Sequence, residues 1–323
     1  MPEASHSSPF SEVGRHKSRD CRPASARDWL AAHARVRFGR LNRFAAVRGV
    51  RDVLVHLLSR EGTGILFLTP YGFQILLPAS YTNLIIMALD GVLFHPSLLE
   101  LTRRVIRTGD VVVDGGSNIG FFALFAARLL GGKGRVFAFE PDTQSFLLLK
   151  RNVESNGLTG TVQLEEQALT DANGSFEFSV SVQEPMLSSL VARADVDDTR
   201  LIRVQGTRLD DYFEKNGVKQ ADVIKLDLEG AEPRALDGMT SILASARLVI
   251  FEINEPQLAA IGIDPVTLIT KTAAKGTFET ILYIDERNDQ ICEWEPDTFR
   301  EALHAYKYVN VLCAKRGAIS PLP

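Results

Sequence analysis

Residues 111–120 read VVVDGGSNIG. Three valines make a short buried strand, and Asp114 stops it on a charge. Gly115, Gly116, Ser117, Asn118 and Gly120 then keep the backbone small and free to turn, since glycine and asparagine tolerate left-handed φ. A helix is expected from about Ile119, with its N-terminal amides facing the same turn. The pattern repeats on both sides. RVFAFE, TVQLEEQAL, DVIKLD and LVIFEIN read as apolar strands. FFALFAARLL, TQSFLLLKRNVESNG and EPRALDGMTSIL read as the helices between them, and SLLELTRRVIRT as a helix before them. FETILYID and YVNVLCAKR add two strands around the helix PDTFREALHAY. Continuous apolar strands separated by helices predict an α/β fold. Right-handed crossovers make it a doubly wound, mostly parallel seven-stranded sheet with helices on both faces. Residues 174–208 fit this rhythm poorly; strands, a loop and the apolar knot PMLSSL are all compatible with them.

Composition and charge organise the rest. The 323 residues are 45% hydrophobic and 24% charged, enough for a full core. Residues 1–60 carry 12 Lys/Arg against 5 Asp/Glu, or +7; the remainder, with 24 against 35, is −11. An acidic main body argues against a nucleic-acid partner. Residues 1–25, rich in Ser, Pro, Arg and His, read as disordered. Residues 26–96 read as a helical and short-strand extension, and 97–323 as the main domain. Between Arg27 and Arg60 apolar residues recur at helical spacing beside a basic face, which suits docking on a membrane surface or partner protein, or a solvated face of a packed helix. Three scattered cysteines and no apolar leader suggest a reduced, cytoplasmic setting, with peripheral attachment to the inner membrane surface left open. Residues 64–94 imitate a membrane span, but Pro70, Gly72 and Pro78 interrupt it before about 20 apolar residues accumulate.

In a doubly wound sheet ligands bind beyond the carboxyl ends of the strands, so the strand-end residues carry the chemistry. Asp114 with Gly116, Ser117, Asn118 and Gly120 form a turn without the G-x-G-x-x-G register of a dinucleotide site. A carboxylate there suits a cationic ligand. One helix and one strand later, Glu140 and Pro141 end FAFEPD; an acid at this point can bind both hydroxyls of a ribose. Gln167 follows the third strand, where it could meet an adenine ring. The fourth strand, VIKLDLEGAE, is unusual: Lys225, Asp227 and Glu229 share one parity in a segment that should be apolar. A buried lysine requires a partner, so a Lys–carboxylate cluster is expected. It can serve catalysis or hold the turn at Gly230. Glu252, in FEIN, reaches the same rim as a base, a substrate contact or a surface acid. Asp227, Glu229 and Glu232 offer a weaker alternative, a Mg²⁺ site, because hard cations take oxygen ligands.

Together, VVVDGGSNIGFFAL, VFAFEPD, RLDDYF, VIKLDLEGAEPRALDG and LVIFEIN resemble the FkbM family of S-adenosylmethionine-dependent methyltransferases over roughly residues 90–255. Asp114, Gly116, Asn118 and Gly120 match its usual turn, with Ser117 in place of Ala. His95 stands where the family often carries a Glu before the first strand. The resemblance implies a class I methyltransferase fold, S-adenosylmethionine as cofactor, and methyl transfer to a hydroxyl of a sugar, glycan or secondary metabolite. Asp114, Gly116, Ser117, Asn118, Gly120, Glu140, Pro141, Gln167 and Asp227 would hold the cofactor. Asp227 or Glu229 would act as base, with Glu252 in reserve and Lys225 keeping the carboxylate ionised. A cofactor-binding module without activity and a Rossmann-type oxidoreductase are the competing functions.

Overall fold

A computed structural model describes residues 64–78, 81, 96–181, 188–191, 199–285 and 290–319. The segment expected to be disordered (1–25), the basic helix between Arg27 and Arg60, and His95 lie outside the described residues.

The central sheet is built from β3 (Val111–Gly115), β4 (Arg135–Phe139), β5 (Val162–Glu165), β9 (Val223–Leu226), β10 (Leu248–Asn254), β11 (Thr280–Asp285), β12 (Gln290–Glu293) and β13 (Tyr308–Ala314). Its order is β12-β11-β13-β10-β9-β3-β4-β5. Among the described residues it therefore has eight strands rather than the expected seven. The extra one, β12, pairs antiparallel with β11 at the edge; its four residues, QICE, are too short and too polar to register as a strand beforehand. β3, β4, β5, β9 and β10 are mutually parallel, and β13 enters antiparallel between β10 and β11. The winding reverses between β3 and β9, which places a crevice beyond their carboxyl ends.

One face of the sheet carries Val112, Val136, Ala138, Val223, Ile250 and Leu312, packed against α1 (Pro96–Val105), α2 (Phe121–Leu130) and α3 (Thr143–Ser155). The opposite parity supplies Val113, Phe137, Ile224, Leu226, Phe251 and Val311. These pack against α4 (Leu209–Lys215), α5 (Glu232–Asp237), α6 (Thr240–Ser245), α7 (Glu255–Ala260), α8 (Pro265–Gly276) and α9 (Pro296–Tyr306). Fully buried side chains such as Phe137, Phe213 and Phe251 each contribute about 1.5–3 kcal/mol by removal from water.

Two additions border the crevice. The hairpin of β1 (Gly64–Leu68) and β2 (Gln74–Pro78) is tied to α3, where Asn152 and Asn156 accept from the amides of Leu76 and Gln74 (2.8 and 2.9 Å). The expected long third strand breaks at Glu166–Gln167. Its second part, β6 (Ala168–Leu169), joins β8 (Thr199–Thr207) and β7 (Gly174–Ser181) in a separate three-stranded sheet. The alternation in FEFSV belongs to this sheet, which explains why 174–208 did not follow the αβ rhythm.

Candidate active site

The turn after β3 is fixed from several directions. The amides of Gly116 and Ser117 both donate to the Phe139 carbonyl (3.1 and 3.0 Å), stitching the turn to the end of β4. Ser117 Oγ donates to the Asp114 carbonyl at 2.8 Å. Gly116 has φ +73°, and a Cβ on it would overlap the carbonyl oxygen of Asp227. Its smallness is thus required by the protein's own backbone just past the end of β9. Gly120 likewise packs against Leu149 of α3.

Glu140 closes the next strand end. It is 6% exposed and accepts from the amides of Asn118 (2.8 Å) and Asp142 (2.9 Å). Burial pushes its carboxyl up to about 7, against the pull of those two amides. Each oxygen keeps further acceptor capacity, and Glu140 lines the cavity described below.

Asp114 and Lys225 occupy the same level of neighbouring strands, so their side chains leave the sheet on the same face. Lys225 Nζ lies 3.4 Å from Asp114 Oδ1 and 3.3 Å from Asp227 Oδ2, and 5.7 Å from the centroid of the Phe122 ring. Burial opposes the ammonium charge, but Asp227 and Asp114 outweigh it and hold Lys225 above the usual lysine range. Burial raises Asp114, with Lys225 pulling it back. Asp114 is fully enclosed beneath the floor.

Register carries the same face outward. Ile250 pairs with Lys225 across β10 and β9, so Glu252 stands level with Asp227; Asn310 of β13 pairs with Glu252. Oxygens of Asp227, Glu229 and Glu252 lie within 4.8 Å of one another. The expected trio with Glu232 is corrected here. Glu232, 1% exposed, accepts from the amides of Leu228 (2.6 Å) and Gly230 (3.0 Å) and so clamps its own loop. Glu252, one strand away, takes its place.

The structure brings these groups around one cavity of about 210 Å³. Gly116, Ser117, Asn118, Glu140, Pro141 and Gln167 line one part; Lys225, Asp227, Glu229 and Glu252 line the other. Asp114 and Gly120 lie behind the wall. Sequence reasoning missed Asn310, although a polar residue inside YVNVLCA carries the same signal that identified Lys225. It also missed Phe122; Ser188 and Leu190, from the segment after β7, line the cavity as well. No helix among the described residues is long and apolar enough to cross a membrane.

The profile described as "Methyltransferase FkbM domain" matches residues 114–294, which begin at the strand-end aspartate. The hexuronic acid methyltransferase AglP of Haloferax volcanii is 33% identical over 192 residues, 58% of this chain and 73% of that protein. The 2-O-methyltransferase NoeI of Sinorhizobium fredii is 26% identical over 186 residues, 52% of this chain and 75% of NoeI. The 31-O-demethyl-FK506 methyltransferase FkbM of Streptomyces tacrolimicus is 30% identical over 178 residues, 46% and 67% of the two chains.

Proposed function

Because the chain belongs to the FkbM family of methyltransferases, we propose that it transfers a methyl group from S-adenosylmethionine to a hydroxyl, and that the acceptor is a sugar or glycan. The acceptor class draws support from relatives named for a hexuronic acid and for 2-O-methylation.

The cavity's residues suit that donor. Glu140 would hold the ribose hydroxyls. Gln167 would meet the adenine, and its Oε1 is buried without a hydrogen-bond partner among the described residues. The narrow turn at 116–119 would receive the methionine portion, with Asp227 near the positive centre. S-adenosylmethionine supplies an already activated methyl, so the protein's contribution is mainly alignment of the acceptor oxygen and exclusion of water.

A neutral sugar hydroxyl is a weak nucleophile, and a positioned base adds about 10²–10⁴-fold. The observation that carries this reading is the convergence of Asp227, Glu229 and Glu252 on one wall of the cavity. Asp227 takes the hydroxyl proton, with the Lys225 ammonium 3.3 Å away. Glu229 and Glu252 orient neighbouring hydroxyls, since carboxylates accept two or more hydrogen bonds.

The test is transfer of labelled methyl to a panel of neutral sugars, uronic acids and glycan fragments, with Asp227→Asn beside the wild type. The expected result is a methyl ether on a sugar, and a 10²–10⁴-fold lower turnover in the variant with S-adenosylhomocysteine affinity kept within about threefold. Unchanged turnover in the variant would remove Asp227 as base. Methylation of an amine in place of a hydroxyl would overturn the reaction class.

A further inference from the structure

The loop that carries Asp227 and Glu229 is held on one side by Glu232, which satisfies the amides of Leu228 and Gly230. Its carbonyls are held from elsewhere. Ser189, 1% exposed, directs its hydroxyl at the carbonyl oxygens of Glu229 (2.8 Å) and Leu228 (3.1 Å), and accepts from the amide of Val191 (3.0 Å). Glu229 itself has φ +53°, a left-handed conformation that an L-residue keeps only when its surroundings impose it. Ser189 is part of those surroundings.

Ser189 does not belong to the sheet that bears the loop. Its backbone forms a two-way bridge with Ser179 of β7 (2.8 and 2.9 Å), so it is part of the accessory sheet bordering the crevice. Its neighbours Ser188 and Leu190 line the cavity, as does Phe178 of β7. One residue therefore joins a wall of the cavity to the loop that presents the carboxylates.

We propose that Ser189 is a positioning residue, which transmits occupancy of the cavity to the acid loop by fixing the carbonyls of Leu228 and Glu229. A ligand resting on Ser188 and Leu190 orders that segment. The Ser189 hydroxyl then holds the loop, and Asp227 and Glu229 with it, in the orientation needed for the acceptor. This rests on the proposed donor site, and the experiment separates the two.

The probe is S-adenosylhomocysteine, and the readout is amide hydrogen exchange of the full chain with and without it. In the wild type, slowing is expected at 116–119, at 188–191 and at Leu228, Gly230 and Ala231. In Ser189→Ala the slowing should persist at 116–119 and 188–190 and fall at least threefold at 228–231; the Val191 amide loses its own acceptor in this variant and is left out of the comparison. Ser189→Thr, which keeps the hydroxyl, should restore it. Full protection of 228–231 in Ser189→Ala overturns the proposal, as does failure of Ser189→Thr to restore what Ser189→Ala loses. Should Ser189→Ala not fold, the wild type still decides: protection of 228–231 without protection of 188–191 overturns the coupling. Absence of S-adenosylhomocysteine binding to the wild type overturns the donor site, and this inference with it. Binding at 116–119 with an unresponsive acid loop overturns this inference alone.

Discussion

Replacing Gly116 by alanine should separate the floor of the cavity from its acid loop. The new Cβ would overlap the carbonyl oxygen of Asp227, stand 3.0 Å from its carbonyl carbon and 3.3 Å from Leu228 Cδ2. The obstacle is backbone at the end of β9, so no side-chain rotation relieves it. The left-handed φ of +73° costs alanine about 1–2 kcal/mol, and forcing two packed segments apart costs about 1–3 kcal/mol more. Gly131 supplies the control: its φ is +60° and nothing lies within 4 Å of its missing Cβ, so Gly131→Ala carries only the backbone cost, about 1–2 kcal/mol. The difference between the two variants, about 1–3 kcal/mol, isolates the contact. Urea unfolding measures it, and calorimetry with S-adenosylhomocysteine measures its effect on the site. Gly116→Ala should lose at least about tenfold in affinity, equivalent to roughly 1.4 kcal/mol, while Gly131→Ala binds normally. If the two variants unfold at the same urea concentration and bind alike, the joint between Gly116 and Asp227 does not organise the cavity.

Three further outcomes follow from the charges. Asp114→Asn leaves the Lys225 ammonium with Asp227 alone, and should cost about 3 kcal/mol in urea unfolding, the low end for breaking a buried pair; adding Lys225→Met should recover more than half, and a midpoint unmoved by Asp114→Asn would show the pair to be idle. Glu140 and Glu232 are both raised to about 7 by burial, so each stabilises the ligand-free fold fully below its unfolded value near 4.5 and loses that contribution as pH rises through 7. Stability should therefore fall between pH 5 and 8 by on the order of 3 kcal/mol per group; a urea midpoint that rises over this range refutes it, and Glu232→Gln should flatten the slope. If a carboxylate takes the acceptor proton unaided, treatment with EDTA should leave methyl transfer within about twofold, since a required cation would leave with the chelator; loss of activity restored by Mg²⁺ would assign Asp227, Glu229 and Glu252 to a metal instead.

Much of the candidate site was legible because charge interrupts an apolar strand. Lys225 inside VIKLDLEGAE and Asp114 after three valines stand out against the pattern of buried strands, and parity alone placed Lys225 and Asp227 on one face. Glu252 was legible as an acid one strand away; its level with Asp227 depends on the β9–β10 register. What the pattern hid was direction. Glu232 and Glu229 are both acids of one short turn, yet one faces its own loop amides and the other the cavity. Asn310 was hidden because its place beside Glu252 needs β13 to run antiparallel between β10 and β11, which local sequence does not encode. Ser189 was hidden because its partners are carbonyls 39 and 40 residues away. The oxidoreductase alternative, already disfavoured by the glycine register, falls with membership of a methyltransferase family.

The insertion of β13 also orders events in time. β11 meets the sheet only through β13, and β10 pairs with β13 on its outer side. During synthesis, β10 therefore presents a bare edge until residues 308–314 have been made. β11 and β12 can pair with each other before then but have no place in the sheet. An unpaired edge is a template for association with other chains, and non-local pairing is slow to form. β13 thus supplies Asn310 to the cavity and covers that open edge in the same step.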